Sequence, residues 1–284
     1  MARAAVLLVL SVPFSLPASG ASRAEPPARS ADEGRRLDPE RQLVALKAQV
    51  MSADYRGDLA ELARLRDRAA RLADDPKLGY LARYWAGFAS WRLAINGTNM
   101  TPAELKAHME KATADFDAAI RLRDDFADAY AAASMCHAWL AFVAKDPATN
   151  PQHAESSKRQ GARAKELAPG NPRVLWMEGA RLFYTPGDFG GNPQRAIEVY
   201  RQMAAASEGA AAPNSPLPDW GKPEALMSLA NAHLGPATLD LAAAAAEAQE
   251  ALRLAPEWHY VRDILIPMIE ARRKQSGKPA GTGP

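Results

Sequence analysis

The chain has 284 residues, 48% hydrophobic and 24% charged, with 35 basic and 33 acidic residues and a formal net charge of +2. That near-balance excludes the basic footprint of a nucleic-acid binder, and the length suits one large domain or one continuous repeat array. A single cysteine, Cys136, excludes an internal disulfide.

Residues 1–24 read as a secretory signal peptide. Arg3 gives a positive start, an apolar run covers 4–10, and small residues at 18–22 lead to a cleavage site near Ala21 or Ala24. The run is too short to span a bilayer. The expected address is therefore periplasmic or secreted and soluble, with no membrane insertion after cleavage. Residues 25–37 lack an apolar period and are expected to form a disordered leader. The folded domain is placed at 38–275 and a disordered tail at 276–284.

From Asp38 onward the pattern is helical. Asp38-Pro39-Glu40 is a helix start, and Leu43, Leu46 and Val50 share one face. Gly57-Asp58 breaks that helix. Leu59, Leu62, Leu65, Ala69 and Leu72 mark the next, closed at 74–76. Tyr84, Trp85, Phe88, Trp91 and Ile95 define an aromatic helix. Thr101-Pro102-Ala103-Glu104 then predicts a capping box ahead of Leu105, Met109, Ala112, Phe116, Ala119 and Ile120. A third pair begins at Asp128 and returns to Leu167, with a stop at Pro169-Gly170. A fourth spans 174–203 around a turn at 186–191. Residues 207–223, rich in Ala, Pro, Gly and Asn, are either a flexible insertion or an element docked by Leu217 and Trp220. A fifth pair runs from Leu226 through an Ala-rich segment to Pro256. A last helix carries Trp258, Val261, Ile264, Leu265, Met268 and Ile269. No segment alternates with period two, so no strand is expected.

The pairs share a pattern. Leu226-x2-Leu229-Ala230-x2-His233 and Tyr130-x2-Ala133-Ser134-x2-His137 match the first-helix signature of the tetratricopeptide (TPR) repeat. Trp85-x2-Phe88-Ala89 and Leu175-x2-Glu178-Gly179 are weaker forms. Ala112-x3-Phe116-x2-Ala119 and Ala196-x3-Tyr200 match the second helix. The chain resembles the TPR family across most of its length. Its stops lie farther apart than about 34 residues, so the repeats are irregular, with long turns inside the hairpins. The Phe189-Gly190-Gly191-Asn192 turn also looks like exported helical-repeat proteins associated with TRAP-type solute transporters. The resemblance implies an all-α, TPR-like right-handed superhelix of about five irregular hairpins with a C-terminal capping helix.

The search for chemistry returns little. Gly187, Gly190 and Gly191 lack the Lys-Ser/Thr of a phosphate loop. His108, His137, His153, His233 and His259 form no metal spacing, and His137 and His233 stand at the packing position of the repeat. Cys136 and His137 point about 100° apart on a helix and make no nucleophile–base pair. No catalytic residue, metal or cofactor is expected. Fitting the repeat places Arg83, Ser90, Asp128, Met135, Arg173, Trp176, Met227 and Asn231 on the concave face. Such a face suits an extended peptide or a partner's helix. The expected function is a non-catalytic adaptor for a protein partner. The alternative is an accessory component of a TRAP-type uptake system that binds a small ligand or its binding protein.

Overall fold

The computed structural model describes residues 38–142, 146, 148–209 and 212–276, and the leader, signal and tail expectations lie almost wholly outside them. Among the described residues there is no strand. The helices are α1 (Pro39–Arg56), α2 (Leu59–Ala70), α3 (Gly79–Asn96), α4 (Pro102–Leu122), α5 (Ala127–Phe142), α6 (Asn150–Leu167), α7 (Pro172–Tyr184), α8 (Pro193–Ala206), α9 (Lys222–Ala232), α10 (Leu241–Leu254) and α11 (Ile266–Ser276). They pack chiefly with their neighbours in sequence, as five hairpins and a terminal helix. The expected all-α, TPR-like architecture is the one observed.

The punctuation read from the sequence acts through backbone bonds. Gly57 takes φ 66°, a left-handed conformation, and its N–H closes α1 on Ala53 and Asp54. Thr101 and Glu104 form the reciprocal capping box. Asp58, Asn171, Asn192 and Asp240 cap α2, α7, α8 and α10 by accepting from N–H groups two or three residues on. Asp38 stands at the start of α1 without a side-chain cap bond. Helix α2 ends at Ala70, and turns fill the residues before the stop at 74–76.

Small residues let paired helices cross closely, and large rings fill the hollow. Gly87 of α3 lies against the Phe116 ring of α4, and Gly179 of α7 against the Tyr200 ring of α8. The largest core cluster combines Trp85, Phe88, Trp91, Phe116, Tyr200, Met203 and Trp220.

The final helix has a cover. Trp258, Val261, Leu265 and Ile269 are buried against Ala244, Ala248 and Ala251 of α10, with Leu226 and Leu252 at the margin. Leu229 instead belongs to the main core, and Met268 is exposed. Alanines allow the close approach that leucines would block. Residues Tyr260–Leu265 form a π-helical segment before α11. Pro267, the second residue of α11, lacks the N–H that would bond a carbonyl four residues back, so a wider turn is accommodated there.

The ends of the domain meet. The Tyr55 ring of α1 lies 4.9 Å from that of Trp258. His259 Nδ1 is 3.2 Å from the Tyr55 carbonyl, and Ser52 Oγ donates to Glu257 at 3.0 Å.

Candidate functional site

The connection between α8 and α9 crosses the face made by α1, α3 and α7. Residues 212–221, the strap, have no regular secondary structure and are held by side chains from those helices. Lys47 Nζ donates to the Ala212 carbonyl at 2.8 Å and to Asp219 Oδ2 at 2.7 Å. Trp85 Nε1 donates to the Pro216 carbonyl at 2.8 Å. Arg173 Nη1 donates to the Trp220 carbonyl at 3.3 Å. Trp220 Nε1 in turn donates to Tyr84 Oη at 3.1 Å. The Trp220 ring sits 6.0 Å from Phe88 and 5.9 Å from Trp176, and Trp176 is 5.4 Å from Trp91. Trp220 is buried, whereas Leu217 is 46% exposed. The connection therefore docks through one of the two residues singled out for it.

The electrostatics suit this packing. Burial, reinforced by the Asp128 carboxylate, pushes the Tyr84 hydroxyl far above its usual value, so it stays neutral and accepts the indole N–H. Arg173 is fixed by Asp128, which also accepts from Asn171 at 3.0 Å. Glu224, at the start of α9, accepts from Tyr55 Oη at 2.6 Å and from the Gly221 N–H at 2.8 Å. Burial raises its carboxyl, and those two bonds oppose the shift. Arg92 and Asn96 of α3 donate to Asp54 of α1 at 2.6 and 2.8 Å.

The eight residues assigned to the concave face fall into separate places. Arg173, Trp176 and Asp128 meet at the strap, and Trp176 Nε1 also reaches Ser228 Oγ at 3.3 Å. Asp128 and Arg173 are buried. Ser90 is buried, and its Oγ has no partner among the described residues. Arg83 bridges to Asp115 of α4 at 3.0 Å. Met135 packs in a separate cluster with Ala131, Val174 and Met177. Asn231 bonds Met227 and accepts from Tyr260 Oη at 3.1 Å, facing the final helix. The concave-face assignment did not include Lys47, Tyr84, Trp85, Phe88 and Trp91. Lys47 carried a visible signal, a cation inside the stripe of Leu43, Leu46 and Val50.

Two histidines away from the strap face polar partners. His137 Nδ1 faces His153 Nδ1 at 2.9 Å, and Asp117 lies 3.6 Å from His137 Nε2. His233 Nδ1 and Glu247 are 2.8 Å apart at the equivalent position of the fifth hairpin. Cys136 is buried, and burial pushes its thiol well above the reactive range. Among the described residues no group of three or more His, Cys, Asp or Glu could hold a metal ion. No described helix is long and apolar enough to cross a membrane. A cleft of about 330 Å³ lies apart from the strap, lined by Lys165, Glu178 and Leu182 with Arg195 and Val199 of α8.

The described helices and this aromatic face form an all-α fold of TPR-like helix pairs. No family model and no curated protein matches the chain. Two solved structures share its fold. One is the HusA haemophore from Porphyromonas gingivalis, with a TM-score of 0.53 and 23% identity over 69% of this chain and 93% of that one. The other is a thermophilic TPR protein from Thermus thermophilus, with a TM-score of 0.51 and 19% identity over 80% of this chain and 95% of that one.

Proposed function

We propose that this protein is a non-catalytic, exported scaffold that holds an extended polypeptide segment on the face of α1, α3 and α7. One observation carries the reading. That face already holds an irregular, proline-containing stretch, through donors aimed at backbone carbonyls and an aromatic recess. Donors to main-chain carbonyls secure a segment whatever its sequence, and a recess for one large ring adds selectivity. The TPR fold supports the class.

A peptide array probed with the full chain tests this. Peptides containing Trp should be retained, and retention should fall in Trp176→Ala. An array with no peptide above background would overturn the reading.

A second reading rests on the cleft between α7 and α8. Its Lys165 and Arg195 would suit a small anionic ligand of an uptake system, and one protein of this fold is a haemophore. Lys165 is paired with Glu178, and Arg195 with Glu198, which weakens that reading. A ligand that raises the thermal midpoint of the full chain, with the gain lost in Arg195→Ala, would favour it.

A further inference from the structure

We infer that the strap is an internal ligand, occupying the place of a partner segment in which an acidic residue immediately precedes a tryptophan. The inference rests on the proposed binding of a polypeptide segment at the face of α1, α3 and α7, and adds the partner's chemistry and the way access is controlled.

The contacts divide between the two sides. The helices supply the donors Lys47 Nζ, Trp85 Nε1 and Arg173 Nη1 and one acceptor, Tyr84 Oη, for the Trp220 indole. The strap answers with the carbonyls of Ala212, Pro216 and Trp220, the Asp219 carboxylate and the Trp220 ring. Of these contacts the last two belong to particular side chains, and Pro216 and Pro218 of the strap are buried as well. Leu217 faces outward and adds no selectivity. The face therefore reads a carbonyl, then a carboxylate three residues on, then an indole directly after it. The pair is charge-matched, because Lys47 is almost fully buried and needs an anion beside it.

Tethering gives the strap an advantage over anything arriving from solution. A segment linked at both ends acts at an effective concentration far above that of a free partner. A partner's apparent affinity is reduced by the small fraction of molecules with the face open. Weakening the strap should therefore strengthen binding in trans. A surface that merely filled its own core would show no such exchange.

The test uses a fluorescent peptide with the sequence of residues 215–221 and the full-length chain. Fluorescence anisotropy should show at least about tenfold tighter binding to Asp219→Ala and to Trp220→Ala than to the unaltered chain. Adding Lys47→Ala to either variant should abolish the gain, as should replacing Asp by Ala in the peptide. Asp219→Ala keeps Trp220 and serves if Trp220→Ala fails to fold, with helical circular dichroism as the check. A folded Asp219→Ala chain that binds the peptide no better than the unaltered chain overturns the inference. If the array still yields peptides of another pattern, the proposed scaffold function survives that result. If no peptide binds any form of the chain, both fall.

Discussion

Lys47 Nζ meets Asp219 Oδ2 at 2.7 Å although 172 residues of sequence separate them. The lysine side chain is 5% exposed and the aspartate 18%. Helix α1 and the strap are thus joined by an ion pair largely removed from water. Removing one partner of such a pair strands the other charge, which is worse than losing both.

Lys47→Ala should lower the unfolding free energy by about 3 kcal/mol, the low end of the range for buried pairs because Asp219 keeps some water. The double variant Lys47→Ala/Asp219→Ala should recover part of the loss. Urea denaturation of the four chains gives the coupling directly, and strict additivity would mean the pair contributes nothing.

The carboxyl of Glu224 is raised above its usual 4.5 by burial. Between 4.5 and its higher folded value the native chain binds more protons than the unfolded one, so this group's contribution falls as pH rises through that window. The stability of the unaltered chain relative to Glu224→Gln should therefore be greatest at low pH and decline toward neutrality. Denaturation midpoints of both chains across pH 4.5 to 7.5 measure it, and a constant difference would count against the shift.

His153 behaves in the opposite sense. Burial, then the facing His137 ring, lowers its folded value below 6.5, with Glu110 and Asp146 opposing and Lys106 adding. Asp117 lies behind His137. The unfolded chain therefore takes up a proton first, and stability present above pH 6.5 is lost as pH falls toward the folded value. His153→Gln should remove that loss. Thermal midpoints at pH 7.5 and 5.5 for the two chains provide the comparison.

At Gly179 an added Cβ would stand 2.5 Å from Tyr200 Cε1. Tyr200 is buried and has little room to yield. Gly179→Ala should destabilise by about 1–3 kcal/mol, the usual range for overpacking. Gly187→Ala meets nothing within 4 Å and should stay near neutral. Equal thermal midpoints for the two variants would contradict the close crossing of α7 and α8.

Trp258 is 2% exposed and packs on Tyr55 as well as on α10. Trp258→Ala should cost about 3–5 kcal/mol. A chain ending before Glu257 would bare the alanine face of α10 and the Tyr55 ring, and should associate in solution. Light scattering and the thermal midpoint decide, and a monomeric truncated chain of unchanged midpoint would show that the cap is dispensable.

The helices, most of their caps and their pairing are legible in the sequence. Those depend on near neighbours: the left-handed Gly57, the Thr101–Glu104 box, the Gly179–Tyr200 crossing and the 3.6-residue apolar period are all local or within one hairpin. The sequence also offered Leu217 and Trp220 as docking residues for the long connection, beside a flexible insertion, and the structure uses Trp220. Where that connection lies and which face it covers is set by contacts between distant segments. Lys47, Trp85, Arg173 and Trp220 come from four distant segments, and no periodicity relates them. The sequence puts His137 at a packing position and gives His153 no role, and the two meet because α5 and α6 fold back on each other. The concave residues were placed by phase within each helix, which is local. Whether such a residue stays open, bridges to a neighbouring helix as Arg83 does, or lies beneath the strap as Arg173 does depends on contacts far apart in the chain.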